Sequence, residues 1–199
     1  RDGAIQGLVG DPWSEEEGAG RTFRISANSF FQGNTVGAEV MVDLAAELLA
    51  PQGHETLLDG YCGVGLFGLS LAGQVGQVIA IEESEMACDD FAWNGRDLDN
   101  VTLYEGPVEE VLAALDSVRI DMALIDPPRT GAGPEVVQHL ARLGVPKLLY
   151  VSCDPATLAR DARLLTDAGY HLEQVQPVDM FPQTYHVESL ALFRLAPAP

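Results

Sequence analysis

The sequence predicts an α/β domain with a mostly parallel sheet that ends in an antiparallel hairpin. Short apolar segments alternate with helical segments from residue 56 to residue 168, as in strands joined by crossover helices. Glycine and proline separate these segments, and two longer strand-like segments follow at the end of the chain. We therefore expect one main domain over residues 34–199, built on a seven-stranded sheet.

The individual elements follow from apolar periodicity and from the turn residues between them. Two short strands, 5–9 and 21–25, joined by the acidic loop 11–20, predict a hairpin, and we expect residues 1–33 to be the remnant of a preceding domain. The predicted strands of the main domain are 56–60, 78–81, 101–104, 120–125, 147–152, 171–178 and 188–195. The predicted helices are 35–50, 84–98, 108–115, 134–143 and 155–168, besides one that opens at the glycine-rich turn 61–68.

Composition limits the classes of function. The net charge of −19, with 11 Lys and Arg, argues against a protein that grips nucleic acid through a broad basic patch of its own. No apolar run is long enough for a membrane helix, and the first residues do not form a secretion signal. Cys62, Cys88 and Cys153 are too scattered for a metal or cluster site. We expect no bound metal, a cytoplasmic location and a monomer.

A glycine-rich turn after the first strand of the main domain is the first chemical signal. Gly63, Gly65 and Gly68 form a GxGxxG pattern. Glu82 lies 19 residues after Gly63, close to the spacing of about 20 residues that is expected for an acid that binds ribose hydroxyls. Glycines let a nucleotide approach the backbone at the start of the next helix. The pattern is typical both of dinucleotide sites and of sites for S-adenosylmethionine, and by itself it does not separate them.

Two further strands end in reactive or charged residues. In Asp126-Pro127-Pro128-Arg129 the prolines stiffen a loop that carries a carboxylate and a cation to the edge of the sheet. The strand before Cys153 stops at that cysteine, and Asp154-Pro155 begins a helix as N-cap and first helical residue. The field of the new helix favours thiolate over thiol, so we expect Cys153 to be a nucleophile.

Two further candidate segments lie before and after these motifs in the sequence. Gln32 lies in a loop with two aromatic residues, and His186-Val187-Glu188 starts the last strand. Together the motifs resemble the catalytic domain of the RNA uracil-5-methyltransferase family, which modifies tRNA and rRNA. The residues that carry the resemblance are Leu58-Asp59-Gly60-Tyr61-Cys62-Gly63-Val64-Gly65, Glu82, Asp126-Pro127-Pro128-Arg129, the segment 152–161 and the segment 179–188.

The resemblance implies a Rossmann-like methyltransferase fold, S-adenosylmethionine as cofactor and RNA as partner. It implies that Cys153 is the nucleophile and Glu188 the base, and that Gln32, Tyr61, Glu82 and Asp126 lie around cofactor and target base, beside the turn glycines Gly63 and Gly65. Carbon 5 of uracil is a poor nucleophile, so a thiolate must first add to carbon 6, and a base must later remove the hydrogen on carbon 5. Arg129 or Arg160 would hold a phosphate or a uracil carbonyl.

Two positions depart from the family pattern, and several alternatives stay open. Leu66 and Pro107 stand where members often have Asn and Asp or Asn, so neither side chain can bind the cofactor through a hydrogen bond. The N-terminal RNA-binding β-barrel of many members and the four-cysteine iron–sulfur site of some do not occur in this chain, and we expect RNA binding to need such an additional domain. The alternatives are a methyltransferase for another base such as cytosine, a non-catalytic module that binds cofactor or RNA, and a dinucleotide-dependent oxidoreductase.

Overall fold

The computed structural model describes residues 10–115 and 118–196, and its first element is a hairpin. Strand β1 (Trp13–Gly18) pairs antiparallel with β2 (Arg21–Ser26). The expected first strand, 5–9, lies outside the described residues, and the prediction of a loop over 11–20 is wrong. All side chains of β1 except the terminal Gly18 are exposed, so no alternation of apolar residues marks this strand in the sequence.

The main domain follows the predicted order of elements. Its helices are α1 (Thr35–Leu49), α2 (Leu66–Leu71), α3 (Glu85–Asn94), α4 (Val108–Ala114), α5 (Gly133–Arg142) and α6 (Pro155–Asp167). Its strands are β3 (Thr56–Gly60), β4 (Gln77–Glu82), β5 (Val101–Glu105), β6 (Met122–Ile125), β7 (Lys147–Ser152), β8 (Tyr170–Val178) and β9 (Glu188–Leu195). None of the described helices is long and apolar enough to cross a membrane.

Helix α3 is shorter than predicted, since it ends at Asn94 and not at residue 98. The side-chain amide of Asn94 donates to the carbonyls of Val64 (3.0 Å) and Arg24 (3.1 Å), and its oxygen accepts from the Arg24 amide (2.7 Å). Gly95 then leaves the helical conformation. The end of α3 is therefore fixed by contacts with β2 and the glycine turn, which local sequence does not reveal.

Seven strands form one sheet in the order β5-β4-β3-β6-β7-β9-β8. Strands β3 to β7 run parallel to one another, whereas β9 runs antiparallel to both β7 and β8. The α/β fold class, the mostly parallel seven-stranded sheet and the terminal antiparallel hairpin are thus confirmed. Alternate residues of the central strands enter two separate cores: Leu57 packs with α1, α2 and the hairpin, and Leu58 packs with α4, α5 and α6.

The antiparallel strand β9 places its first residue at an unusual edge of the sheet. Ser189 pairs with Ser152, the last residue of β7. Glu188 therefore lies beside the carboxyl end of β7, the edge at which open α/β sheets hold their ligands.

Candidate active site

A cavity of about 590 Å³ opens at the carboxyl edge of the sheet. Segments that are far apart in sequence meet there, because parallel strands deliver their following loops to one edge. The predicted cofactor, substrate and catalytic residues that line it are Gln32, Tyr61, Gly63, Glu82, Asp126, Arg129, Cys153 and Glu188. Gly65 and Arg160 are not among the lining residues.

The glycine turn forms one wall of the cavity. Gly63 and Gly65 have φ angles of 54° and 101°, which favour glycine. A Cβ atom at Gly63 would meet nothing within 4 Å, so the backbone there is open to a ligand, whereas one at Gly65 would lie 2.4 Å from Leu69 Cδ1. Gly65 therefore serves the tight packing of the turn, and Gly63 leaves the room at the cavity.

Glu82 holds the glycine turn from the end of β4. Its carboxylate accepts hydrogen bonds from the backbone amides of Gly63 (2.9 Å) and Ser84 (2.8 Å). Carboxylate oxygens accept several hydrogen bonds each, so Glu82 keeps capacity for ligand hydroxyl groups. Glu82 also lines the cavity.

The loop after the hairpin forms the opposite wall and contains Gln32, which is only 7% exposed. The loop is fastened to α3 by Asp90, whose carboxylate is completely buried. Asp90 accepts from Arg24 Nε (2.8 Å), from the Ser26 amide (2.7 Å) and hydroxyl (2.8 Å), and from the Ser29 hydroxyl (2.6 Å). Burial opposes ionisation of Asp90, but these hydrogen bonds outweigh it and hold its pKa below the usual value.

The anchoring role of Asp90 is one that sequence reasoning missed. No pattern in the sequence distinguishes it from the neighbouring Asp89, and only its helical phase, facing inward on α3, could have singled it out. Asp59 in β3 was quoted in the motif but given no role: it is buried, and its Oδ2 accepts from the Gly68 amide at 2.8 Å. Burial raises the pKa of Asp59 to about 7.

The loop after β6 brings Asp126 and Arg129 to the cavity. Burial, together with the nearby charge of Glu188, raises the pKa of Asp126 to about 7. The raised pKa lets Asp126 hold a proton more readily than a solvated carboxyl group, and a protonated carboxyl group can donate as well as accept a hydrogen bond. Arg129 is exposed, and its charge acts on both Cys153 and Glu188.

Cys153 follows β7 and lies partly exposed in the cavity. Asp154 caps α6 as predicted, since its Oδ1 accepts from the Thr157 amide at 2.7 Å. The expected lowering of the thiol pKa is wrong for the protein alone: burial and the carboxylate of Glu188 raise it, and they outweigh the opposing effect of Arg129. The sequence pattern predicts the helix start, but it does not show that Glu188 and Asp126 lie near the thiol and raise its pKa.

Glu188, at the first position of β9, is 4% exposed. Burial raises its pKa, and the Arg129 guanidinium partly offsets this effect. A carboxylate that is buried in a cavity and has a raised pKa is a stronger base than a solvated one. The cavity therefore brings a thiol, a carboxyl group and a guanidinium to one site.

The remaining candidate residues have mixed positions. Tyr61 lines the cavity with a φ angle of 62°, and burial raises the pKa of its hydroxyl to about 12. Leu66 contributes an apolar wall, whereas Pro107 precedes α4 and does not line the cavity. Arg160 bonds to the Thr130 carbonyl (2.6 Å) and to the buried Asp161 (2.8 Å), so its guanidinium joins α6 to the loop after Arg129.

Solved structures with the same fold include one with clear sequence similarity. The tRNA (uracil-54, C5)-methyltransferase of Pyrococcus abyssi, in complex with S-adenosyl-L-homocysteine, superposes with a TM-score of 0.82 at 32% identity, over 96% of this chain and 46% of that one. TYW2 of M. jannaschii, in complex with AdoMet, has a TM-score of 0.67 at 16% identity, over 95% and 90% of the two chains, and at that identity supports the fold alone.

Comparison of sequences gives the same result. An uncharacterized RNA methyltransferase of Streptomyces coelicolor is 39% identical over 98% of this chain and 43% of its own length. An uncharacterized RNA methyltransferase of Thermosynechococcus vestitus is 43% identical over 94% of this chain and 42% of its own length. The chain thus spans less than half the length of these curated relatives. The model of the tRNA (Uracil-5-)-methyltransferase family matches residues 16–195, and the chain therefore belongs to that family.

Proposed function

We propose that this chain is the catalytic part of an enzyme that transfers a methyl group from S-adenosylmethionine to carbon 5 of a uridine in tRNA or rRNA. The observation that carries the proposal is the convergence of Cys153, Glu188 and Arg129 in one cavity with the glycine turn. The match to the family model and the similarity to RNA methyltransferases favour a methyltransferase over a dinucleotide-dependent oxidoreductase.

The residues of the cavity fit S-adenosylmethionine. The open backbone at Gly63 leaves room for a ligand, and the Glu82 carboxylate beside it suits ribose hydroxyls. Gln32 and Asp126 would bind the polar groups of the cofactor and target base through hydrogen bonds. Leu66 offers only an apolar surface, so backbone groups and shape would replace the side-chain contact that many family members have at this position.

In the proposed mechanism Cys153 Sγ adds to carbon 6 of the uracil, and the electron pair of the ring double bond moves towards the neighbouring carbonyl. Arg129 favours the thiolate form of Cys153 that this addition requires. When bound, S-adenosylmethionine supplies the methyl group that carbon 5 receives. Glu188 then removes the hydrogen from carbon 5, the ring double bond re-forms, and the thiolate leaves. The target base must leave its stack to reach Cys153.

Affinity for RNA through phosphate contacts needs basic surface, and this chain is acidic. The net charge of −19 disfavours contact with phosphates, which dominate the affinity of most nucleic-acid complexes. We propose that an additional RNA-binding domain of the complete protein precedes the hairpin, and that residues 34–199 form the catalytic domain of a cytoplasmic monomer. The chain spans less than half the length of these relatives, which is consistent with a further domain in the complete protein.

The covalent step is tested with RNA that contains 5-fluorouridine and with the complete protein. Fluorine cannot be removed as the hydrogen is, so the adduct to Cys153 accumulates and survives a denaturing gel. Cys153→Ala should give no adduct, and Cys88→Ala, which changes a buried thiol outside the cavity lining, should give the wild-type amount.

The other outcomes separate the alternatives. An adduct with Cys153→Ala contradicts the assignment of the nucleophile. Methyl transfer that yields methylcytidine instead of 5-methyluridine identifies another target base. Binding of S-adenosylhomocysteine without methyl transfer to unmodified tRNA or rRNA identifies a non-catalytic module.

A further inference from the structure

A short turn before β9 forms the rim of the cavity. This rim turn comprises residues 181–187, of which Phe181 and His186 line the cavity. Thr184 holds its shape: the Thr184 amide and hydroxyl donate to the Phe181 carbonyl (3.1 and 2.8 Å), and the hydroxyl accepts from the His186 amide (3.2 Å). The buried Met180 ties the start of the turn to α1, because its carbonyl accepts from the Asn34 side chain at 3.1 Å.

The rim turn presents aromatic rings to solvent. Tyr185 is 88% exposed, the largest value among the exposed large apolar residues in the described part of the chain. Its ring lies 4.2 Å from the His186 ring with an angle of 38° between their planes, and Phe181 contacts His186 edge-on at 6.0 Å. Three adjacent rings supported by a hydrogen-bonded turn form a surface whose outer face is available for stacking.

Charges around the cavity favour an uncharged contact with RNA. Five carboxyl side chains are among the described residues that line it, but only one guanidinium, that of Arg129. The five are Glu82, Glu83, Glu109, Asp126 and Glu188. These carboxylates would repel phosphates. The face of a base carries no net charge, and any of the four bases can stack on an aromatic ring.

We propose that the Tyr185–His186 pair is a stacking platform for an unpaired base next to the target uridine in the substrate RNA. The inference rests on the proposed function, since it assumes that RNA enters the cavity beside the rim turn. The platform would hold the RNA strand where the flipped uridine leaves it, and it would supply affinity that phosphate contacts cannot supply near the cavity.

The test measures methyl transfer by the complete protein with unmodified RNA as substrate. Tyr185→Ala should raise KM for RNA about 5-fold to 150-fold, the range expected for the loss of one base–aromatic contact, and should change kcat less than about 2-fold. Tyr185→Phe keeps the ring and should restore the wild-type KM. Tyr104→Ala removes an exposed aromatic side chain from β5, away from the cavity, and should match the wild type.

Salt dependence distinguishes stacking from a contact with phosphate. The ratio of KM between Tyr185→Ala and wild type should stay constant as salt is raised, because stacking releases no counterions. If the wild type is active, three results would overturn the platform alone. These are an unchanged KM in Tyr185→Ala, a KM in Tyr185→Phe as high as that in Tyr185→Ala, and a KM ratio that falls with salt. An oligomeric state that changes in Tyr185→Ala while KM stays constant assigns the rings to a second copy of the chain. A wild type that transfers no methyl group overturns the proposed function on which the inference rests.

Discussion

The buried carboxylate of Asp90 should control both the stability of the hairpin and the affinity for cofactor. Asp90→Ala leaves the Arg24 guanidinium, the Ser26 amide and two serine hydroxyls without their acceptor. Removing one partner of a buried ion pair costs about 3–5 kcal/mol in the free energy of unfolding. Arg24 keeps 22% of its side-chain surface exposed and can regain water, so we expect a loss near the lower end, about 3 kcal/mol.

Urea denaturation measures this loss, and calorimetry with S-adenosylhomocysteine measures the effect on the cavity. Affinity should fall in Asp90→Ala because Ser29 anchors the loop that carries Gln32. Asp97→Ala is the matched control, since Asp97 pairs with Arg21 of the same hairpin but is 63% exposed. A surface pair of this kind contributes less than about 1 kcal/mol.

The pH dependence of the free energy of unfolding, compared between wild type and Asp90→Asn, checks the charge of Asp90. Its pKa is lowered in the folded protein, so its contribution is complete above the unfolded value of about 3.9 and is lost as pH falls through the folded value. The stability difference between wild type and Asp90→Asn should therefore shrink below about pH 4. An Asp90→Ala variant within 1 kcal/mol of wild type, with unchanged affinity, would refute the reasoning.

Three further predictions concern the cavity and its glycine turn. The pKa of the Asp126 carboxyl is raised to about 7 in the folded protein, so wild type should lose stability as pH rises from about 4 to 7. Asp126→Asn removes this loss, so its free energy of unfolding should fall less than that of wild type between pH 5 and pH 8. Arg129→Gln removes a cation beside Cys153, so alkylation of that thiol, followed by mass spectrometry, should need a higher pH. Gly65→Ala should lower the unfolding free energy by about 2–5 kcal/mol, since its φ is 101° and its Cβ would lie 2.4 Å from Leu69 Cδ1.

Each of these predictions has a clear contrary result. Equal pH dependence of stability in wild type and Asp126→Asn would mean that this carboxyl is charged throughout. An alkylation midpoint that does not move in Arg129→Gln would show that the guanidinium does not act on the thiol. A Gly65→Ala protein of wild-type stability would mean that Leu69 and the backbone adjust at no cost.

The fold was largely predictable because its central strands are buried on both faces. Strands such as β6 and β7 are continuous apolar runs bounded by turn residues, and local sequence is enough to place them. Strand β1 was missed because its side chains point to solvent on both faces of a two-stranded ribbon. The end of α3 was missed because tertiary contacts of Asn94 decide it.

The candidate site was predictable where a residue follows a strand at the ligand edge. Glu82, Asp126 and Cys153 all follow or end parallel strands, so topology alone brings them together. The pKa of Cys153 and the anchoring role of Asp90 depend on residues from other segments that face them in space. Spacing along the chain does not contain that information.

The reversed direction of β9 has a consequence for how such a site can arise. Were this strand parallel to β7, its last residue, Leu195, would lie near Cys153, and Glu188 would be at the far edge of the sheet, about 24 Å away at 3.4 Å per residue. A slip of one residue in the β7–β9 pairing would turn the Glu188 side chain to the other face of the sheet. The distance between Cys153 and Glu188 is therefore set by strand direction and register, and loop 179–187 can vary in length without separating them.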